Sequence, residues 1–162
     1  MLAANLQLKS IPVVETGMLI RRPVSEVFEA FANPAITTKF WFTKSTGRLA
    51  PGAEVEWTWE MYGITTQVRV KEFEQDRRIV VEWGAQPAAT TFELGFSPRE
   101  GGATFVSVTE SGFSGATGDD IVAWAIGSMG GFTQALAAAK AFLEYQIAVP
   151  IVADRFPDGH PG

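Results

Sequence analysis

The sequence predicts an α+β fold: a seven-stranded, curved antiparallel sheet around one long C-terminal helix, with two short helices between strands 1 and 2. Three observations predict it. A period-two rhythm runs from Ser45 to Ser111 and is cut only by short turn signals. A single long helical pattern follows, from Asp119 to Ile147. One strand and two proline-marked helix starts precede both. Strands grouped together and then a helix imply α+β rather than a βαβ alternation.

The first strand is Val13–Arg21, with Val14, Thr16, Met18 and Ile20 on one face. Pro23 ends it and suits the first position of a helix. Val24, Val27, Phe28 and Phe31 then fall at i, i+3, i+4 and i+7, a single apolar stripe. Asn33-Pro34 is a cap followed by a first-turn proline, so a second short helix is expected to carry Ile36, Phe40 and Trp41.

Turn signals at Pro51-Gly52, Tyr62-Gly63, Gln75-Asp76, Gln86-Pro87 and Arg99–Gly102 divide the next region into strands. These are Ser45–Leu49, Glu54–Met61, Thr65–Phe73, Arg78–Trp83, Thr90–Pro98 and Ala103–Ser111. Val55, Trp57 and Trp59 alternate with Glu54, Glu56, Thr58 and Glu60; Ile79, Val81 and Trp83 alternate with Val80 and Glu82; Phe92, Leu94 and Phe96 alternate with Glu93, Gly95 and Ser97. Short linkers make hairpins, hence a meander with one apolar and one wet face.

Thr117, Asp119 or Asp120 is suited to cap the long helix. Asp119–Ile147 holds only four charges, Asp119, Asp120, Lys140 and Glu144, and carries two apolar stripes, so burial on several sides is expected. At 1.5 Å per residue it would run about 40 Å, enough to cross a small domain. Residues 149–162 contain three prolines and two glycines and read as an extended or partly disordered tail. The organisation is thus an N-terminal extension (1–12), one domain (13–148) and a tail (149–162).

Composition narrows the function. Thirteen basic against eighteen acidic residues give a net charge of −5, which weighs against nucleic acid as a partner. No cysteine means no disulfide, thiol nucleophile or thiolate metal site. The one histidine, His160, lies in the tail, so no triad or multi-histidine metal site is expected, and no cofactor is implied. Met1–Pro12 lacks the basic and apolar regions of a signal peptide, and no stretch approaches the ~20 uninterrupted apolar residues of a membrane span. A cytoplasmic protein is the expectation. Nineteen aromatic residues stand against this shortage of reactive groups, the composition of a container rather than a catalyst.

The order β-α-α-β6-α resembles the START-like helix-grip superfamily, also called SRPBCC or polyketide-cyclase-like. Local phrases resemble its heat-shock ATPase activator homologue-like branch: RRPVSEVFEAFANPAITTKFW (Arg21–Trp41), VTESGF (Val108–Phe113) and GGFTQALAAAKAFLE (Gly130–Glu144). The resemblance spans roughly residues 13–148. It departs from the pattern at WAIGSMGGF, where Gly127, Gly130 and Gly131 sit inside the long helix.

Each interior glycine costs about 1 kcal/mol against alanine. Gly127, Gly130 and Gly131 therefore have two readings, room for a ligand beneath the helix, or close helix–sheet packing or a kink. Trp57, Trp59, Trp83, Phe92, Phe96, Trp124 and Phe132 are either plain core or the wall of an apolar pocket. Trp41, Phe42 and Phe113 are candidates for its mouth. Among ionisable groups only Glu110 follows inward-pointing neighbours, Val106 and Val108; it is either a structural acceptor of loop hydrogen bonds or an acid, base or ligand anchor. Arg69 is a possible partner for it, but its alternation with Val68 and Val70 reads as solvent-facing. Tyr62 reads as a turn residue.

Three functions remain. The first is binding of a hydrophobic small molecule, such as a lipid, sterol or aromatic polyketide, between sheet and helix. The second, which the resemblance permits, is a cyclase, dehydratase or hydrolase relying on Glu110. The third, also from the resemblance, is a module with a chaperone partner. A homodimer is compatible with each.

Overall fold

The computed structural model describes residues 6–161. β1 (Val14–Ile20) leads into α1 (Val24–Ala32) and α2 (Pro34–Thr37). Six strands follow: β2 (Lys44–Ser45), β3 (Glu54–Trp59), β4 (Ile64–Glu74), β5 (Arg78–Trp83), β6 (Thr90–Arg99) and β7 (Ala103–Ser111). α3 (Gly118–Tyr145) crosses the concave side, and α4 (Ile151–Asp154) follows it. The sheet order is β1-β7-β6-β5-β4-β3-β2, every pair antiparallel. The last strand thus returns beside the first, as expected for a helix-grip sheet closing on α3.

The period-two reading decides which face is buried. Val55, Trp57, Val68, Val70, Ile79, Val81, Phe92, Leu94, Phe96, Val106 and Val108 all turn inward, and Phe28 and Phe31 of α1 meet Phe96 edge-on and tilted at 5.1 and 5.9 Å between centroids. The outer face carries paired charges such as Arg69–Glu82 at 2.8 Å. Arg69 is therefore not a partner for Glu110.

Four expectations change. α2 ends at Thr37, short of Phe40 and Trp41. The Thr37 and Thr38 hydroxyls bond back to Ala30 O, Asn33 O and Pro34 O, and the chain leaves in hydrogen-bonded turns. The second strand keeps only Lys44–Ser45, because Leu49 turns into the core and its N–H bonds Ala32 O instead of the sheet. α3 is buried on one side only: Phe132, Leu136, Ala139 and Leu143 face the core, while Ile126 is 67% exposed and Met129 46%. A sheet can grip only one flank of a helix. α3 is long and apolar enough to cross a membrane by length and composition, yet here it packs on β1. Finally, the C-terminal segment is not extended. It forms α4 and docks on α3. Of the N-terminal segment, residues 1–5 lie outside the described residues; the Leu6 N–H donates to Asp119 at the start of α3, 2.8 Å away.

The end of α3 is clamped to β1. Lys140 Nζ donates to Leu19 O (2.7 Å) and to Glu144 (2.6 Å), and the Arg21 N–H donates to Glu144 (2.9 Å). Burial alone would raise the Glu144 carboxyl, but the Lys140 and Arg21 hydrogen bonds and charges outweigh it and hold the group below 4.5. A lowered folded pKa stabilises the native state above the unfolded value, and that stabilisation is lost as pH falls through the folded one. Glu26 and Glu29 are lowered in the same way, mainly by hydrogen bonds from Arg22 and Arg48. The urea midpoint is therefore expected to fall as pH drops below 4.5, and less so in Glu144→Gln. An equal fall in the variant would remove Glu144 from this account.

Candidate functional site

Sheet and α3 diverge toward the β3–β5 end, because three of the helix residues facing that end are Gly127, Ser128 and Gly131 and cannot fill the gap. A cavity of about 500 Å³ results. That is within the ~300–1,000 Å³ range of small-molecule sites. Trp59 and Ile64, paired across β3 and β4, form one wall with Trp83. Trp41 joins them from the α2–β2 loop, and Trp124 and Phe132 close the helix side. Trp83 and Phe132 lie 5.4 Å apart, Trp41 and Phe132 5.7 Å, so the aromatic lining is continuous.

One end is polar. Glu110 is fully buried and faces Phe92 across the β6–β7 pair. Trp83 Nε1 donates to its Oε2 at 2.9 Å, the Thr90 hydroxyl donates to the same oxygen at 2.6 Å, and the Ser128 hydroxyl donates to Oε1. Trp83 Nε1 also reaches Thr90 Oγ1 at 2.9 Å. Three donors replace the water that a buried carboxyl loses, which is what makes its burial tolerable. These donors are side chains from β5, β6 and α3. The loop backbone after Ser111, the structural partner expected from the sequence, is not among them. Gln134, one turn beyond Gly131, also lines the cavity, and its buried Oε1 has no donor among the described residues.

The C-terminal segment closes the remaining side with Val152, Arg155, Phe156, His160 and Pro161. Tyr62 anchors it: its hydroxyl donates to Val152 O and, at 3.3 Å, to Ala153 O, and its ring meets Phe156 at 5.9 Å and His160 at 5.2 Å. The glycines differ in what they make room for. A Cβ on Gly127 would meet nothing within 4 Å, so this position opens cavity space. A Cβ on Gly130 would lie 2.6 Å from Arg155 Nη2, and one on Gly131 3.1 Å from Nη1, so these two seat a guanidinium.

The structure thus brings Trp41, Trp59, Trp83, Glu110, Trp124, Gly127, Gly131 and Phe132 to the cavity. Trp57, Phe92 and Phe96 lie behind the wall in the core; Trp57 stacks on Phe42 at 4.4 Å. Phe113 is buried with Val14 and Ala125 and packs edge-on against Trp124 at 5.3 Å, supporting the wall from outside. Thr90, Ser128, Gln134 and Arg155 were not singled out from the sequence. Ser128 had a signal, its place between Trp124 and Phe132 on the glycine stripe. Arg155 had none.

The family model described as Activator of Hsp90 ATPase homolog 1-like protein matches residues 21–144. No curated protein matches by sequence. Among solved structures, SSP2350 from Staphylococcus saprophyticus is 27% identical, covering 85% of this chain and 96% of its own, with a TM-score of 0.73. The Aha1 dimer from Colwellia psychrerythraea is 14% identical over 83% of this chain and 97% of its own, with a TM-score of 0.70. CalU16 from Micromonospora echinospora is 16% identical over 88% and 82%, with a TM-score of 0.65. The last two likenesses are of fold alone.

Proposed function

The chain belongs to the family of Activator of Hsp90 ATPase homolog 1-like proteins, and from that premise we propose that it binds a hydrophobic small molecule, a lipid, sterol or aromatic polyketide-like compound, between the sheet and α3. The observation that carries this reading is the continuous aromatic wall with its polar groups gathered at one end. Apolar walls supply affinity, and a few placed polar groups set orientation. The enzymatic alternative finds less support, because three of the roughly four acceptor sites of the Glu110 carboxylate are already taken by Trp83, Thr90 and Ser128. A chaperone partner draws only on the family's name. A second copy of the chain is a further partner to test by sedimentation, since Ile126 and Met129 stand exposed on α3. A cytoplasmic location accords with the cysteine-free sequence.

Four of the five tryptophans line the cavity, so occupancy is expected to change intrinsic fluorescence. Titration with fatty acids, sterols and aromatic polyketides should give saturable quenching together with a rise in Tm in at least one class. Failure of all three to their solubility limits overturns the proposal. Gly127→Leu is the sharper test. The helix gains about 1 kcal/mol over glycine, while the new side chain enters open cavity space. The expected outcome is an equal or higher Tm with binding weakened tenfold or more; unchanged binding would place the ligand elsewhere.

A further inference from the structure

We propose that the ligand of this cavity is an amphipathic carboxylic acid whose carboxylate is received by Arg155. The inference rests on the small-molecule reading above and specifies the chemistry of that same site. Arg155 lines the cavity and is half-buried. Among the described residues it forms no ion pair: the paired cations are Arg22, Lys44, Arg48, Arg69, Arg77, Arg78 and Lys140. Asp154 and Asp158 flank it in sequence without pairing with it. What holds it is apolar or neutral, the Phe156 ring at 4.8 Å and the bare backbone of Gly130 and Gly131. A guanidinium partly withdrawn from water against such surroundings is stabilised by an anion, and its planar fork matches a carboxylate with two parallel hydrogen bonds.

The placement is specific. Two interior helix glycines, each unfavourable for the helix, are filled by this one side chain. Tyr62 fixes the segment that delivers it. The family match ends at residue 144, so Arg155 is a feature of this chain beyond the matched region. Arg155 is the sole arginine or lysine at the wall, which suits one negative charge better than the two of a phosphate monoester. The rest of the wall is mostly aromatic and suits an apolar body; the Glu110 carboxyl, at the polar end, is already held by Trp83, Thr90 and Ser128. Gln134 Oε1, buried without a donor, offers that body one acceptor for a hydroxyl or N–H.

The test uses dodecanoate, dodecanol and dodecyl phosphate, read by tryptophan fluorescence and calorimetry on the full chain. Wild type is expected to bind dodecanoate at least tenfold more tightly than dodecanol. Arg155→Gln should abolish that preference, with the larger loss of affinity falling on dodecanoate. Gly130→Ala is the control for folding: its Cβ displaces only the flexible end of Arg155, so Tm should hold or rise while the preference for the acid shrinks. Equal binding of acid and alcohol by wild type, or an undiminished preference in Arg155→Gln, overturns this proposal and leaves the cavity reading standing. Tighter binding of the phosphate than of the carboxylate overturns the choice of acid. Binding of none of the three overturns this proposal, and binding of a sterol in the same assay would show that the cavity reading survives it.

Discussion

Glu110→Ala is expected to lower stability by about 2–4 kcal/mol, among the larger effects a single substitution produces. The truncation removes one acceptor group and strands the Thr90 and Ser128 hydroxyls, while Trp83 Nε1 keeps Thr90 Oγ1 at 2.9 Å. Trp83 Nε1 and the Thr90 and Ser128 hydroxyls all end on the Glu110 carboxyl. A buried donor left without a partner costs about 1–3 kcal/mol. The sum stays below twice that figure, because Thr90 and Ser128 also border the cavity, from which water can reach them. Glu110→Gln keeps the shape but turns an N–H2 toward groups that donate, so it should cost less, about 1–2 kcal/mol. Urea unfolding of both variants checks the order. A Glu110→Ala protein within 0.5 kcal/mol of wild type would mean that water replaces the carboxyl without loss. Ligand binding should weaken in both variants, since Trp83 and Ser128 lose the partner that orients them at the wall.

Trp57→Ala is expected to cost about 3–5 kcal/mol, the range for truncating a large buried aromatic. Trp57 is 1% exposed. It stacks on Phe42 at 4.4 Å and meets Trp41 at 5.1 Å, so it supports the wall residue from behind. At roughly 2–4 °C per kcal/mol for a chain of this size, the Tm should fall by roughly 10 °C. Trp59→Ala makes the contrast. Trp59 is only half-buried and faces the cavity, so its loss should cost less stability and more binding. If Trp57→Ala is the milder of the two in thermal unfolding, the division between core and wall drawn here is wrong.

Much of this arrangement is legible in the sequence, and for one reason. Strand and helix periods are local properties, so a residue's face follows from its neighbours. Trp57 and Phe92 share an inward face because each alternates with polar residues, and Glu110 turns inward because Val106 and Val108 do. What alternation does not reveal is depth. Trp59 and Trp57 lie on the same face of β3, yet one borders the cavity and the other stacks beneath Phe42. That difference depends on the α2–β2 loop, whose path is set by the Thr37 and Thr38 back-bonds.

The glycines show the same division. Their presence inside α3 marks missing volume. Only the folded chain shows that Gly127 opens a cavity and that Gly130 and Gly131 receive Arg155. Proline and glycine in residues 149–162 signal a loose tail, because composition reports local preference. Docking depends instead on a tyrosine hydroxyl 90 residues away in sequence.

The sequence by itself determined the sheet and its order of elements, the long helix, the inward faces, and a composition poor in reactive groups. These rest on backbone geometry and on apolar burial that repeats every two or 3.6 residues. Only the tertiary structure decided that Glu110 is held by Trp83, Thr90 and Ser128, that one flank of α3 stays exposed, and that an arginine from the chain's end completes the cavity. Each of these joins residues far apart in the chain. Such contacts form because distant groups lose water together, and no local pattern encodes which ones will meet.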